Sequence, residues 1–258
     1  MTMRKKIDLN CDMGESFGIY KLGRDEELLN YCTSANVACG FHASDPHVMR
    51  STVKLAKEKG VAIGAHFGLP DLMGFGRRAL NVTPEQLKDY AIYQIGALKG
   101  FADAFKIRLQ HVKPHGALYL MLRNDEKLSK AVIEAMQAID DKLILFSWKN
   151  SAIYDLAKKA GVEVVNEFYA DRGCEEDEKI VFAYDIKNIG GSVEAAVKRT
   201  MRVVKEGKVI AHTGKEIAVE METICAHGDS PIAIELAQGL VKALKAEGIE
   251  LAPVGTFI

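Results

Sequence analysis

The stretch that decides the fold is Asp45-Pro-His-Val-Met-Arg-Ser-Thr-Val-Lys-Leu-Ala-Lys-Glu-Lys-Gly60-Val-Ala-Ile-Gly-Ala65. Asp45 is a candidate helix N-cap, and the proline after it suits the first position of a helix. Gly60 suits a left-handed C-cap, because glycine adopts positive φ at little cost. The apolar run Val61–Ala65 then predicts a strand. The stretch therefore predicts a helix that leads directly into a strand.

The same alternation of short apolar runs with longer segments of helical period extends along the chain. The predicted strands are Lys6–Cys11, Asn36–Cys39, Val61–Ala65, Leu109–Val112, Leu143–Phe146, Val162–Val165 and Thr223–Ala226. Thr83-Pro84 predicts another helix start, with Gln86 placed for a capping box, and Ser230-Pro231 repeats the cap-then-proline pattern. Strands that alternate with helices predict an α/β fold with a mostly parallel sheet of seven or eight strands.

The domain organisation is predicted to be simple. The 258 residues suit a single domain, since one α/β barrel commonly takes about 250 residues. No Gly/Ser/Pro tract or charge block separates the halves, so we expect residues 1–258 to form one domain. The alternation breaks between Glu167 and Ser192. There, the acidic run Glu175–Lys179 followed by Ile180–Phe182 indicates an excursion, which we interpret as a small hairpin.

Composition excludes several classes of function. The 34 basic and 35 acidic side chains give a net charge of −1, which removes any electrostatic case for nucleic acid or an anionic membrane. No apolar run approaches the ~18 to 20 residues that cross a bilayer. The first residues run directly into a predicted strand, and the five cysteines form no C-x-x-C pair. We therefore expect a cytoplasmic protein without a signal peptide or a disulfide framework.

Titratable side chains follow the predicted strands at their carboxyl ends, where parallel-sheet enzymes build their sites. They include Asp12, Glu15, His42, His66, Asp71, His111, Lys113, His115, Asp171, Arg172, His227 and Asp229. Each has a plainer interpretation: a lone histidine often only satisfies a hydrogen bond, Asp45 can be merely a cap, and Arg77 can be merely solvated. Because so many converge from separate strands, a functional site is favoured.

The chemistry of such a site has two alternatives at this point. Imidazole and carboxylate groups support general acid–base catalysis near neutral pH, or they bind a divalent metal. The chain has no H-E-x-x-H motif, and neither Ser16 nor Cys39 stands in a G-x-S-x-G elbow. It also lacks a P-loop and a G-x-G-x-x-G turn, which disfavours an independent ATP site and a dinucleotide cofactor.

Several blocks of the sequence are long and distinctive. The first is Ile7-Asp-Leu-Asn-Cys-Asp-Met-Gly-Glu-Ser-Phe-Gly18, and the others are Thr33–Pro46, Gly74–Arg78, His111–Tyr119, Ala170–Gly173 and His227–Asp229. From near Lys6 to about Pro253, the chain resembles the LamB/YcsF family of lactam-utilisation proteins. The resemblance implies a TIM-like β/α barrel of the glycoside hydrolase and polysaccharide deacetylase type. It also implies ATP-dependent opening of 5-oxo-L-proline to L-glutamate, with ATP as co-substrate and 5-oxoprolinase subunits B and C as partners.

The resemblance also indicates site residues by their positions in these blocks. The candidate catalytic residues are Asp12, His42, His66 and His115, and the candidate substrate-binding residues are Glu15, Asp71, Arg77, His111, Lys113, Asp171, Arg172, His227 and Asp229. Because the chain lacks a phosphate-binding loop, phosphorylation of the lactam is assigned mainly to the partner subunits. Phe67, Leu69 and Cys174 depart from the residues common in relatives and are expected to reshape one wall of the pocket.

Two other classes of function stay open. One is a stand-alone, metal-dependent amide or ester hydrolase of the deacetylase type, with Asp12, His42 and His66 as the first candidate ligands. The other is a non-enzymatic protein that delivers the lactam to its partners. Whether a divalent metal is bound, and which one, is left open by the sequence.

Overall fold

The computed structural model describes residues 5–181 and 183–258. The strands are β1 (Lys6–Met13), β2 (Ser34–Ala38), β3 (Ala62–Phe67), β4 (Leu109–Pro114), β5 (Ile144–Ser147), β6 (Val164–Tyr169), β7 (Lys208–Ile210), β8 (Glu216–Ala218), β9 (Thr223–Ala226) and β10 (Glu250–Leu251). The helices are α1 (Asp25–Leu28), α2 (Pro46–Lys59), α3 (Pro84–Phe105), α4 (Gly116–Asn124), α5 (Glu126–Ile139), α6 (Ala152–Lys159), α7 (Val193–Glu206) and α8 (Ala233–Ala246). Among the described residues, no helix combines the length and apolar character needed to cross a membrane.

The main sheet is a closed ring of strands with one strand added. Its order is β10-β1-β2-β3-β4-β5-β6-β9, and a further pairing of β1 with β9 closes the ring of seven. Pairing is parallel between β1 and β9, β3 and β4, β4 and β5, and β6 and β9. The eighth strand, β10, pairs in parallel with β1. The predicted α/β class, a TIM-like barrel of seven or eight mostly parallel strands, is confirmed.

Residue contacts divide the chain into two compact units made of interleaved segments. Unit 1 comprises Met1–Cys11, Arg24–Ser34 and Asn166–Ile258, and unit 2 comprises Asp12–Gly23 and Ala35–Val165. Each unit has its own apolar core: Leu9, Ile224 and Leu240 are fully buried in unit 1, and Ile63, Phe67 and Leu98 in unit 2. The expectation of one domain over residues 1–258 stays a prediction.

Helix ends in unit 2 follow the signals in the sequence. Asp45 caps α2 by accepting hydrogen bonds from two backbone N–H groups of the first turn, and Gly60 ends this helix at φ 69°. Thr83 caps α3 in a complete capping box with Gln86. All three predictions are confirmed, because each residue satisfies backbone groups or dihedral angles that a helix terminus cannot satisfy by itself.

The helix start predicted at Ser230 is wrong. Helix α8 begins only at Ala233, and the residue before it provides no side-chain cap. The Ser230 N–H donates to the His227 carbonyl oxygen, and the Ala233 N–H donates to the Ser230 carbonyl oxygen. These two turns use the backbone groups around Ser230 and delay the helix.

The excursion predicted after Glu167 contains less regular pairing than a hairpin. Cys174 and Ile180 form an isolated antiparallel bridge, while Phe182, which ends the apolar run inside the predicted excursion, lies outside the described residues. An antiparallel pair of strands does occur, but it is formed by β7 and β8 further along the chain. The sequence predicted no strand there, because each of these strands has only three residues and shows too little alternation to be recognised.

The cysteines contribute to the core. All five lie among the described residues, where each is buried and none forms a disulfide. Burial raises the pKa of Cys39, whose Sγ donates to the Val37 carbonyl oxygen at 3.1 Å, and burial likewise raises the pKa of Cys174. These groups therefore remain thiols, and a thiol is a far weaker nucleophile than a thiolate.

A buried carboxylate on β1 ties together strands of unit 1. The Asp8 carboxylate accepts hydrogen bonds from the hydroxyls of Thr33, Ser34 and Thr223 at 2.6, 2.7 and 2.6 Å. Burial raises the pKa of Asp8 to about 6, although the three hydroxyl groups act in the opposite direction. Asp8 is thus charged at neutral pH, and the three hydroxyl groups offset only part of the free-energy cost of burying that charge.

Asp8 predicts that stability depends on pH. Its pKa in the folded chain, about 6, exceeds the ordinary value of 3.8, so the folded state binds the extra proton between these values. The stability from Asp8 is fully present below the lower value and is lost as pH rises through the upper one. The unfolding free energy of the wild type, relative to Asp8→Asn, should fall by up to ~3 kcal/mol from about pH 4 to about pH 6. Denaturant titrations at each pH measure this difference, and a constant difference would contradict the assignment.

The capping box of α3 predicts a second stability effect. Thr83→Ala removes the side-chain acceptor for the Gln86 N–H, at 3.2 Å, and should lower the unfolding free energy by about 1 kcal/mol. Catalytic turnover should be nearly unchanged, because the box lies at the surface. Gln86→Ala, which removes the other half of the box, is the matched comparison. Lost turnover at full stability would show that Thr83 has another role.

Candidate active site

The carboxyl ends of β1, β3 and β4 place polar side chains together in unit 2. Asp12 lies near the end of β1, His66 near the end of β3, and Lys113 near the end of β4. His115 follows β4 directly, and His42 lies in the loop after β2. All five side chains are buried. The clustering follows from parallel strands, whose carboxyl ends meet at one edge of the sheet.

A chain of hydrogen bonds runs through this region. The Lys113 Nζ donates to Asp12 Oδ1 at 3.0 Å, and the Asn36 Nδ2 donates to the same oxygen at 2.7 Å. The His111 Nε2 donates to Asn36 Oδ1 at 2.7 Å, while its Nδ1 accepts from the Gln110 amide at 3.2 Å. Burial lowers the pKa of His111 to about 3. His111 is therefore neutral, with both ring nitrogens engaged, and it orients Asn36 toward Asp12.

Three histidine rings and a carboxylate form a second group, here called the histidine cluster: Glu15, His42, His66 and His115. The His66 Nε2 and the His115 Nδ1 lie 2.8 Å apart. The rings of His42 and His115 stack at 3.7 Å with an angle of 4° between their planes. The Glu15 Oε1 lies 3.7 Å from the His42 Nε2 and 4.0 Å from the His115 Nδ1.

Burial favours the neutral form of two of these rings, those of His42 and His115. It lowers the pKa of His42 well below its usual value, and the neighbouring His66 lowers it further. The pKa of His115 is likewise lowered well below its usual value, by burial first and then by His42 and His66. A neutral imidazole has one nitrogen lone pair, which can accept a proton or bind a metal ion.

Glycines make room for the rings. A Cβ at Gly68 would lie 2.8 Å from the His42 Nδ1, and one at Gly76 would lie 2.7 Å from the His42 Cβ. Gly76 also has φ +62°, a conformation that other residues rarely adopt. The loop after β3 can therefore approach the rings only because these two positions have no side chain.

The loop that follows β3 is closed by an ion pair. Asp71 accepts hydrogen bonds from the Gly74 N–H at 2.9 Å and from the Arg78 guanidinium, with Nε 3.0 Å from both carboxylate oxygens. Arg78 holds the pKa of Asp71 down to about 2. Arg77 points elsewhere, with its guanidinium 4.9 Å from the centre of the Phe75 ring. Asp71 thus stabilises the loop, and any contact of Asp71 or Arg77 with substrate stays a prediction.

In unit 1, a group of polar side chains follows β6 and β9. The His227 Nδ1 donates to Asp171 Oδ1 at 2.9 Å, and Arg172 donates to Asp171 Oδ2 at 2.7 Å. Arg172 also lies 3.8 Å from the Asp229 carboxylate. Burial alone would raise the pKa of Asp171, but His227 and Arg172 together hold it below its usual value. A carboxylate bonded to Nδ1 fixes the tautomer of His227 and makes Nε2 the nitrogen that exchanges protons.

Each unit therefore holds part of the predicted set of site residues. The ends of the strands in unit 2 hold Asp12, Glu15, His42, His66, His111, Lys113 and His115; the loop after β3 holds Asp71 and Arg77; and unit 1 holds Asp171, Arg172, His227 and Asp229. The sequence analysis missed Asn36 and Arg78. Asn36 had a visible signal, because it is a polar residue inside an otherwise apolar strand. Arg78 had none that separated it from Arg77.

Comparison with known proteins identifies the family of this chain. The sequence profile of the LamB/YcsF family matches residues 7–258. The chain belongs to this family. This LamB/YcsF chain is 48% identical over 253 residues to the A subunit of 5-oxoprolinase from Pyrococcus abyssi, covering 98% of this chain and 99% of that protein. It is also 48% identical over 249 residues to the A subunit of 5-oxoprolinase from Bacillus subtilis, covering 96% and 97%.

Solved structures agree with the family. A lactam utilization protein from Thermus thermophilus superposes on the LamB/YcsF chain with a TM-score of 0.88 at 41% identity, covering 96% of this chain and 99% of that one. A family 4 carbohydrate esterase from Streptomyces lividans reaches a TM-score of 0.51 at 11% identity, covering 97% and 93%. The second likeness shows a shared fold only, and it is consistent with the barrel that the resemblance implied.

The buried ion pair of the LamB/YcsF chain predicts a large loss of stability when the side chain of one partner loses its charge. Lys113→Met removes the charge that faces Asp12 and should lower the unfolding free energy by ~3–5 kcal/mol, because a buried carboxylate loses its counter-charge. Lys113→Met combined with Asp12→Asn should regain part of that loss. Lys88→Met is the control, since Lys88 pairs with Glu134 at the surface and should lose less than about 1 kcal/mol. Equal losses for Lys113→Met and Lys88→Met in denaturant titrations would contradict this account.

Proposed function

We propose that this chain is the A subunit of an ATP-dependent 5-oxoprolinase, which opens 5-oxo-L-proline to L-glutamate together with subunits B and C. The observation that carries the proposal is the near full-length match to proteins of that name, with 48% identity over 253 residues. The buried imidazole and carboxylate groups at the strand ends support it, because hydrolysis of an amide needs groups that move protons.

The reaction sets clear requirements for catalysis. The ring of the lactam is a planar amide, with a weakly electrophilic carbonyl carbon and a poor leaving nitrogen. Transfer of a phosphoryl group from ATP to the amide oxygen turns that oxygen into a good leaving group. Water then adds to the former carbonyl carbon, and the bond between this carbon and the ring nitrogen breaks as the nitrogen takes up a proton. A second water hydrolyses the resulting acyl phosphate to the carboxylate and phosphate. ATP is thus a co-substrate, and we assign the phosphoryl transfer mainly to the partner subunits.

In this proposal the side chains at the strand ends of unit 2 position the attacking water. Asp12 is held by Lys113 and Asn36, so its charge is maintained without access to solvent. Its Oδ2 lies 3.4 Å from the His66 Nε2. The carboxylate and the neighbouring histidines His42, His66 and His115 are proposed to orient the attacking water and receive its proton.

The group in unit 1 fits a second proton transfer. Asp171 orients His227 through its Nδ1, so Nε2 is proposed to protonate the ring nitrogen as it leaves. Arg172, and in unit 2 Arg77 and Lys113, are proposed to hold the substrate carboxylate or phosphate, for which a guanidinium offers a bidentate grip. Glu15, Asp71, His111 and Asp229 are proposed to support these contacts. The cytoplasm is proposed as the location, because the reaction consumes ATP.

Two alternatives differ in partners and chemistry. A stand-alone, metal-dependent amide or ester hydrolase would act without ATP and without other subunits. A binding protein without catalytic groups would tolerate loss of Asp12 or His227. The observation that favours a metal is the histidine cluster, and it is compatible with the partner-dependent reaction as well.

The proposal predicts dependence on partners. The chain alone should release no glutamate from 5-oxoproline, and addition of subunits B and C with ATP should restore release. In the reconstituted assembly, Asp12→Asn and His227→Gln should each lower turnover by about 10²-fold or more, the scale of one lost acid or base. His212→Asn is the control, because His212 is exposed and pairs with Glu175. Glutamate release by the chain alone would favour the stand-alone hydrolase, and full activity of both variants would favour the binding protein.

A further inference from the structure

The hydrogen bonds around His66 and His115 fix where their protons lie. The His66 Nδ1 lies 3.0 Å from the Lys113 carbonyl oxygen, and the His115 Nε2 lies 2.7 Å from the Phe75 carbonyl oxygen. A carbonyl oxygen only accepts, so each of these nitrogens carries its proton and donates. In a neutral ring the other nitrogen then has a lone pair.

The two nitrogens that carry these lone pairs are close neighbours. The His66 Nε2 and the His115 Nδ1 are 2.8 Å apart, and two acceptors at that distance repel unless a positive charge lies with them. A bound cation resolves the conflict, because both lone pairs can donate to it.

The third ring, that of His42, also calls for a ligand at its nitrogens. Both ring nitrogens of His42 are buried, and neither has a hydrogen-bond partner among the described residues. A buried polar atom without a partner costs free energy, so such atoms usually have a ligand in the working protein. The ring is 0% exposed and stacks on His115, which places it inside the cluster.

We propose that the histidine cluster of Glu15, His42, His66 and His115 binds one divalent transition metal ion of the zinc type. One ligand atom from each of the four residues lies within 4.8 Å of the others. Imidazole nitrogens select zinc, cobalt, nickel or iron over magnesium and calcium, and one carboxylate oxygen completes a set common at zinc sites. The backbone carbonyl bonds of His66 and His115 are the outer contacts that metal-binding histidines make in proteins.

The ligand set differs from the one that the sequence first indicated. Asp12 was a candidate ligand beside His42 and His66, but its Oδ1 accepts from both Lys113 and Asn36. Glu15 takes its place in the cluster, and His115 joins it. The proposal concerns the same residues as the proposed function, but it does not depend on the lactam, ATP or the partners.

The test is metal binding by the full-length chain without partners. The chain is stripped with a chelator, and Zn²⁺ or Co²⁺ is then added. We expect one equivalent of metal per chain after gel filtration, visible absorption bands with Co²⁺, and a rise in Tm on addition of Zn²⁺. His42→Asn and Glu15→Gln should lower metal affinity by about 10²-fold or more. His212→Asn, which alters an exposed histidine, should bind as the wild type does.

Three results would overturn the proposal. They are no retained metal in the wild type, equal retention by the wild type and both variants, and a Tm that Zn²⁺ raises equally in all of them. Circular dichroism in chelator identifies a variant that has not folded, and the Glu15→Gln variant, which preserves side-chain size, then decides the outcome together with the wild-type stoichiometry. Metal binding without glutamate release by the assembly would reject the proposed function alone, and glutamate release by an assembly whose A chain retains no metal after Zn²⁺ is added would reject this inference alone.

Discussion

The ammonium of Lys113 and the carboxylate of Asp12 lie 3.0 Å apart with almost no access to water. Each charge is tolerated in this place only because the other is present, since removal of either leaves the remaining one buried and unpaired. The pair therefore couples the end of β4 to the end of β1. Asn36, on β2, donates a second hydrogen bond to Asp12, and His111 donates to Asn36 in turn.

Lys113 acts through its backbone as well as through its ammonium. Its carbonyl oxygen accepts the hydrogen bond that fixes the proton of His66. Lys113 thus holds Asp12 through its side chain and sets the tautomer of His66 through its backbone carbonyl. Gly68 and Gly76 confine the histidine rings from the side of the loop after β3, because any larger side chain at these positions would collide with the rings. The geometry of the histidine cluster is consequently determined by strand ends and a close loop, with little freedom to adjust.

The sequence predicted those features that depend on neighbours along the chain. The caps at Asp45 and Thr83 and the C-cap at Gly60 are local, so a few residues suffice to specify them. The strand ends could also be predicted, and with them the groups near Asp12 and His66. Ser230 was mispredicted because nearby turns compete for its backbone. The partner of Asp71 was missed because Arg77 and Arg78 are identical in type, and only the path of the loop distinguishes them. The likeness to carbohydrate esterases, at 11% identity, shows why a fold alone does not give a reaction.

The buried thiols have a practical consequence for studying assembly with other subunits. Since all five cysteines are buried in the described part of the chain, a maleimide dye should react slowly with the folded wild-type chain. A single cysteine placed at an exposed position would then be labelled selectively without removal of the natural ones. Met73, which is 92% exposed in the loop beside the histidine cluster, is such a position. Fluorescence from a dye there would report directly when another protein covers that loop.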